Sequence, residues 1–347
     1  MANKRPQLPP IGTLTIGLDV GYGVVKAVTT DQVVTFPSVC GHAREIKFNN
    51  DEIAARYAGD QIVDDDSSWF AGDLALSQLP PGELLRLRGR TANEVTIGNV
   101  FRLRLAKVAI GKLLSGIRNS EVVHIRLATG LPVDHMRDAA ALKTALIGQH
   151  YIKTDTSELV ANIVEVMVMP QPYGTLFGQT LTASGDINAK HTFTRTGVCD
   201  VGTYTVDLAL DDDGVYIDAE SGSAESGVYT AQERISAALE RDYRQKMPFK
   251  IIEDVLRTGC FRASGEMVDY GSEVQEALEP LRSATINLMS EKWKAGRTVD
   301  GIYLSGGGAE LVHKMVVNAY PQTRLVKEAQ LANARGYLNY AYFKARG

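Results

Sequence analysis

The sequence predicts an α/β protein built from two related halves, and three stretches carry that reading. In "LTIGLDVGYGVVKAVT", residues 14–29, Leu14, Ile16 and Leu18 alternate with small residues. After Asp19-Val20-Gly21-Tyr22-Gly23 the apolar pattern resumes at Val24, Val25, Ala27 and Val28, which spells strand, tight turn, strand. In "TGVCDVGTYTVDLAL", residues 196–210, Asp-Val-Gly recurs as Asp200-Val201-Gly202, and Val206 matches Val25. Only two copies occur, so the repeat points to paired halves rather than to a solenoid. In "VDGIYLSGGGAEL", residues 299–311, an apolar strand from Ile302 to Leu304 meets Ser305-Gly306-Gly307-Gly308. Helical spacing of Leu311, Met315 and Val316 follows, giving the strand, glycine turn and helix start that cradle ligands in α/β folds.

The chemistry of the first turn follows from its residue types. Gly21 and Gly23 permit positive φ and let a ligand approach the backbone closely. Successive N–H groups in such a turn make a concave anion site. Asp19 repels a bare phosphate but becomes favourable beside Mg²⁺, which takes carboxylate oxygens or their waters. Lys26 offers a point charge to a phosphate. Alone, the stretch reads equally well as a plain hairpin with a glycine bulge. The second copy shifts the balance, because two acidic hairpins facing each other across a cleft would grip a nucleotide tail from both sides. Hydroxyls at Thr203 and Thr205 are available to phosphate oxygens, with Thr203, in the turn, the better placed. Lys26 is replaced in the second copy by Asp207, most simply a residue on the exposed face of its strand. Three consecutive glycines at 306–308 are a poor structural choice unless something must come close.

Composition sets the outer limits. The chain has 347 residues, 44% hydrophobic and 22% charged, which is the composition of a soluble globular protein of two domains or one large unit. A net charge of −4 argues against a broadly basic surface, so no direct nucleic-acid binding is expected. No stretch approaches a spanning helix, so no membrane insertion is expected. "MANKRPQLPPIGT" lacks an apolar core and reads as a flexible lead-in rather than a secretory signal. Cys40, Cys199 and Cys260 lie far apart without metal-ligand spacing, which favours a reducing cytoplasm. Cys199 reads as a small buried hydrophobe, and the histidines do not cluster as ligands.

Among the remaining stretches, residues 229–246 read as a helix opened by a capping box from Thr230 to Glu233. Residues 271–295 carry a long helical pattern with Pro280 inside, where a kink or break is expected. "LLRLRGR" (84–90) and "VFRLRLAK" (100–107) alternate Arg with Leu. In an acidic chain they fit a solvated helix face or a protein contact better than DNA or membrane. "DDDSSW" (64–69) and "DDDG" (211–214) read as turns.

In order and spacing these motifs resemble the actin-like ATPase superfamily, and within it the ParM/StbA plasmid-segregation actins and their archaeal actin-like relatives. Asp19-Val-Gly21-Tyr22-Gly23 with Lys26 looks like the first phosphate loop, and Asp200-Val-Gly202-Thr203 like the second. The run from Tyr303 to Gly306, Gly307 and Gly308 looks like the adenosine motif. "LATGLPVDHM" (127–136) resembles a strand-to-helix segment of the ParM branch, and "LANARGYLNY" (331–340) the second connecting helix. The resemblance implies a duplicated ribonuclease-H-like fold, with two domains around a nucleotide cleft. Domain I would take 13–165 plus 330–347, with a small subdomain near 35–100. Domain II would take 166–329, with one near 215–270.

The resemblance also implies chemistry. Mg²⁺ is held by Asp19 and Asp200. The phosphates of ATP, or of GTP, rest on amides around Gly21, Tyr22, Gly23, Gly202 and Thr203, with Lys26 neutralising charge. The purine sits near Gly307 and Gly308, beyond Gly306. In "EVMVMPQPYGTLFG" (165–178) a strand ends at Met169, and Gln171 falls where the family positions the attacking water. The catalytic set is thus Gln171, Asp19 and Asp200. A glutamine orients water without abstracting its proton, whereas ParM-type proteins often carry Glu. The plainer role for Gln171 is a turn-capping amide between Pro170 and Pro172. The function implied is a cytoplasmic ATPase that self-associates into polar filaments, in DNA or plasmid segregation or cytoskeletal organisation, with a DNA-binding adaptor as a further partner. One alternative is a small-molecule kinase, for which Asp207 is the only evident base. The other is a non-polymerising regulatory or chaperone-like ATPase. A chaperone would need a substrate domain after the core, and a chain ending in "YFKARG" leaves no room for one.

Overall fold

Strand β1 (Leu14–Val20) is buried from Thr15 through Asp19, the pattern of a strand covered on both faces. In the computed structural model, which describes residues 12–47, 50–64, 66–87, 94–118, 121–294, 296 and 298–346, it is an interior strand of the sheet in the first of two units. This unit takes residues 1–131, 135–191 and 333–347, so residues 166–191 group with it. Residues 1–11 of the N-terminal lead-in and residues 88–90 of the first Arg/Leu stretch lie outside the described residues.

β2 (Val24–Val28) returns antiparallel to β1, with Val20 opposite Val25 and Asp19 opposite Lys26, and so leaves Gly21-Tyr22-Gly23 as the turn. β3 (Val33–Pro37) continues the meander. β4 (Cys40–His42), α1 (Asp51–Arg56), β5 (Gln61–Asp64), β6 (Ser67–Ala71) and α2 (Gly72–Gln78) follow, and then the long helix α3 (Glu94–Leu113). β7 (Glu121–Leu131) lies parallel to β1. After α4 (Ala139–Leu146) and β8 (Gly148–Thr154), β9 (Glu158–Pro170) lies parallel to β7 and runs directly into α5 (Gln171–Thr180). The nine strands order as β3-β2-β1-β7-β9-β8-β5-β6-β4.

Leu105, Val108 and Ala109 of α3 pack with Ile16, Leu18, Ile125 and Leu127 of the sheet. Ala128 and Met169 pack with Tyr337 and Ala341 of the C-terminal helix, Ala332–Arg346. This helix lies very close to its neighbours. A Cβ on Gly17 would meet Ala334 O at 2.1 Å, and one on Gly336 would meet Gly174 O of α5 at 1.6 Å. Asn333 Oδ1 closes the junction by accepting from Thr175 N at 3.1 Å and Thr175 Oγ1 at 2.8 Å.

The second unit, residues 132–134 and 192–332, repeats the pattern. β10 (Arg195–Val201) and β11 (Val206–Asp212) form the hairpin, with β12 (Val215–Tyr216) and β13 (Gly222–Ala224) beside β11. Helices α6 (Val228–Tyr243) and α7 (Phe249–Thr258), the small hairpin of β14 (Cys260–Ala263) and β15 (Glu266–Asp269), and α8 (Gly271–Trp293) come next. β16 (Gly301–Ser305), α9 (Ala309–Ala319) and β17 (Thr323–Leu325) complete the unit. Its main order is β12-β11-β10-β16-β17, antiparallel through the meander and parallel beyond β10. That matches β3-β2-β1-β7-β9 strand for strand, as a duplicated ribonuclease-H-like fold requires.

Two local expectations fail for physical reasons, and at Pro280 the expected break, though not a kink, is ruled out. α6 starts at Val228 with Gly227 as its cap, so Thr230 lies inside the helix, Glu233 is exposed and no capping box forms. Val228 N and Tyr229 N instead donate to Gly202 O and Thr203 O, at 3.2 and 2.8 Å, so tertiary contacts satisfy the helix's first amides. α8 runs as one helix through Pro280. The Arg/Leu stretch of α3 is not a solvated face. Arg104 is buried, its Nε bonds Asp64 Oδ2 at 2.9 Å and its guanidinium stacks 3.6 Å from the Trp69 ring centre.

The crossing of α5 and the C-terminal helix leaves no space for a methyl group. Gly336→Ala is expected to destabilise the protein by about 2 kcal/mol or more. Gly82→Ala, where a Cβ meets nothing within 4 Å, is expected to change stability by less than about 0.5 kcal/mol. Thermal melts of both variants check the contrast.

Candidate functional site

Asp19 closes β1 with only 2% of its surface exposed, and each of its carboxylate oxygens accepts from a different element. Lys26 Nζ, directly across the hairpin, donates to Oδ2 at 2.9 Å. Gln171 Nε2 donates to Oδ1 at 3.3 Å. Gln171 is not in a turn between prolines but is the first residue of α5. Because β9 passes into helix without a loop, the side chain is delivered to the end of β1. Tyr337 O–H donates to the Gln171 carbonyl at 3.4 Å.

The carbonyls of the first turn are taken by the protein. Ser38 Oγ donates to Gly21 O at 2.5 Å and Ser38 N to Gly23 O at 2.9 Å. Ser38 had no signal in the sequence, since a serine after Pro37 is an ordinary strand end. A Cβ on Gly21 would stand 3.0 Å from Val24 O and 3.2 Å from Lys26 Nζ, so a side chain there would press on the Asp19–Lys26 pair. The Tyr22 hydroxyl sits 3.3 Å from His135 Nδ1.

The second turn has the same backbone. Gly202 N donates to Thr205 O at 2.8 Å, and a Cβ on Gly202 would stand 3.0 Å from that oxygen, matching the Gly21–Val24 distance. Here the first amides of α6 take the carbonyls of Gly202 and Thr203, the part Ser38 plays in the first turn. Asp200 is 6% exposed and pairs in register with Asp207, as Asp19 pairs with Lys26.

Asp207 is not on an exposed face: it is 1% exposed, because β11 is covered on both sides. It accepts from Thr205 Oγ1 at 2.7 Å, from Val133 N at 3.1 Å and from Ser223 Oγ. The Thr205 hydroxyl is therefore directed to Asp207. Burial pushes the Asp207 carboxyl above its ordinary range against the pull of those three donors. Burial likewise raises the Cys199 thiol, aided by the Asp200 and Asp207 charges, so Cys199 is an inert apolar group.

The three glycines after β16 divide by role. Gly306 has φ of +92°, and a Cβ on it would fall 2.3 Å from Val201 O and 2.4 Å from Asp200 Oδ1. Gly308 donates to Val201 O at 2.9 Å, and a Cβ on it would fall 2.6 Å from Val228 Cγ2. What approaches these two glycines is the chain itself, at the end of β10 and the start of α6. Gly307 is the open one: the nearest atom to a Cβ there is Gln330 Nε2 at 3.8 Å. Gln330 also carried no sequence signal.

Among the described residues no group of three or more His, Cys, Asp or Glu forms a metal cage. Asp19 and Asp200 are each a carboxylate at a strand end of the kind that fits Mg²⁺ bound by one or two carboxylates together with phosphate oxygens and water. The two donors on Asp19 do not fill a carboxylate, which offers about four lone-pair sites. No described helix is long and apolar enough to cross a membrane.

The raised Asp207 has a consequence for stability. Its folded pKa lies above the unfolded value of about 3.9, so its contribution is complete below that pH and is lost as pH rises through the folded value. Asp207→Asn, which keeps an acceptor for Val133 N, is expected to flatten the fall in melting temperature between acidic and alkaline pH. Melting curves across pH for both proteins check this.

Residues 17–174 match the family model of the actin like proteins N-terminal domain. Residues 198–318 match that of the archaeal actin homologue MreB-like, C-terminal. No curated protein matches the sequence. A 15-stranded ParM filament from Clostridium botulinum is similar at 21% identity over 95% of this chain and 99% of that one, with a TM-score of 0.74. Ta0583, an archaeal actin homologue solved with ADP, is similar at 19% identity over 95% and 99%, also with a TM-score of 0.74. The Alp12 filament structure is similar at 17% identity over 96% and 99%, with a TM-score of 0.66. At these identities the likeness is one of fold. The two family matches, one on each half, and the duplicated sheet agree: the chain belongs to the actin-like proteins.

Proposed function

We propose that this protein binds a Mg²⁺–nucleoside triphosphate, hydrolyses it slowly and self-associates into polar filaments, with ATP the principal nucleotide and GTP a second candidate. The observation that carries the reading is the Gln171 amide on the Asp19 carboxylate, which puts a water-orienting group beside a phosphate-type turn. The duplicated Asp-x-Gly hairpins support it, as do the filament and ADP-bound structures that share the fold.

In this reading Asp19 and Asp200 hold the metal, directly or through water. A bound Mg²⁺ supplies positive charge to the terminal phosphates. Amides of Gly21, Tyr22 and Gly23, and of Gly202 and Thr203, hold phosphate oxygens with their dipoles. Lys26 balances Asp19 in the free protein and neutralises phosphate charge in the complex. Gln171 orients a water for in-line attack without taking its proton, so turnover is slow and rests on position and electrostatics. The purine lies against Gly307, with Gly306 and Gly308 shaping the turn beneath it.

Head-to-tail contacts between identical copies do not close, so they extend into a filament, and hydrolysis weakens them. The proposal puts this activity in the cytoplasm, in DNA or plasmid segregation or cytoskeletal organisation, with a DNA-binding adaptor linking filament and cargo; the likeness to ParM supports it. The kinase reading is disfavoured because Asp207, its one candidate base, is buried and already accepts three hydrogen bonds.

Light scattering and pelleting with ATP, GTP, ADP or no nucleotide, each with and without magnesium, test the proposal. Sedimentation that needs both nucleotide and magnesium is the expected result. Nucleotide-independent solubility with phosphate transfer to a small metabolite would support the kinase instead. Gln171→Ala is expected to retain nucleotide and slow phosphate release on the order of 100-fold, the cost of a misplaced reacting group. An unchanged rate removes Gln171 from that role.

A further inference from the structure

Tyr22 is the only side chain in a turn flanked by Gly21 and Gly23, the residue type with most backbone freedom to lose on ordering. Ser38 fixes the two glycine carbonyls, but nothing about Ser38 fixes the middle of the turn. Tyr22 does so from within. Its ring packs against the apolar core of the first unit, alongside Met136. Its hydroxyl lies 3.3 Å from His135 Nδ1, in the short helical turn after β7. Arg102 of α3 also hydrogen-bonds Tyr22, and Asp138 lies within its electrostatic reach.

Arginine has no acceptor, so the Tyr22 oxygen accepts from Arg102. The second contact joins the phenol to His135 Nδ1, with the donor set by the imidazole tautomer. The hydroxyl is thus spent inside the protein. The phenol is the pin between a loose glycine turn and two rigid elements.

We propose that Tyr22 is a positioning residue, clamped by Arg102 and His135, that holds the Gly21–Gly23 amides in the shape that receives nucleotide phosphates. Its part in phosphate binding rests on the Mg²⁺–nucleotide reading; the clamp itself does not. It acts through the backbone, so it serves a phosphate-bearing ligand and not a nucleoside.

Two measurements on the full chain test this. Hydrogen exchange of the nucleotide-free protein is expected to show faster exchange at residues 20–24 in Tyr22→Phe and in His135→Ala, with unchanged exchange elsewhere and an unchanged melting point. Calorimetry is expected to show MgADP binding weakened roughly fivefold to tenfold in Tyr22→Phe, which loses the hydroxyl's hydrogen bonds to Arg102 and His135. Adenosine affinity should change less than about twofold. The double variant should bind no more weakly than Tyr22→Phe, since His135 acts only through the phenol. Wild-type exchange and wild-type MgADP affinity in Tyr22→Phe would overturn the clamp, as would equal losses for MgADP and adenosine. If the wild-type protein takes up no MgADP, the nucleotide reading falls, and the exchange experiment alone still decides whether the clamp exists.

Discussion

A buried carboxylate at the end of a central strand is the constraint around which the first unit is organised. Taking Asp19 out of water is costly unless its charge is met by a cation and its oxygens by donors. Lys26 meets the charge from the returning strand. Gln171 meets the second oxygen from the first residue of α5. Removing one partner of such a pair typically costs about 3–5 kcal/mol, so both donors are held in place by more than their own contact. The sheet order does the holding. β1 lies between β2 and β7, and β9 lies next to β7, so one helix start and one hairpin converge on one oxygen pair.

The second unit repeats the backbone and changes the electrostatics. Asp207 stands where Lys26 stands in the first hairpin, so Asp200 pairs in register with a second acid rather than with a cation. The protein resolves this by burying Asp207 among Thr205, Ser223 and Val133 and raising its pKa, which favours the neutral acid. Two hairpins of one backbone pattern thus carry one acid paired with a lysine and one facing a second acid.

Much of this was legible in the sequence because it rests on local rules. Alternating apolar residues and Asp-x-Gly spacing marked β1–β2 and β10–β11, and the strand–glycine–helix order marked Gly306–Gly308. What was illegible depended on tertiary contacts. The start of α6 is set by the carbonyls of Gly202 and Thr203, distant from it in sequence but adjacent in space, so a Thr–Glu spacing misled. The Arg/Leu alternation of α3 concealed Arg104, whose neighbours Asp64 and Trp69 come from other strands. Asp207 looked exposed because one sequence cannot show that β11 is covered twice. The glycines were read as space for a ligand, whereas Gly306 and Gly308 make room for the chain itself and only Gly307 stands open.

The function proposed above requires that the Asp19 and Asp200 turns act together on one magnesium–nucleotide. Its most direct test is the affinity for ATP, measured with magnesium and with chelator, in the wild-type protein and in folded Asp19→Asn and Asp200→Asn variants. The account predicts that magnesium tightens wild-type binding and that each substitution alone abolishes that gain. A variant that keeps the full magnesium-dependent gain would contradict it.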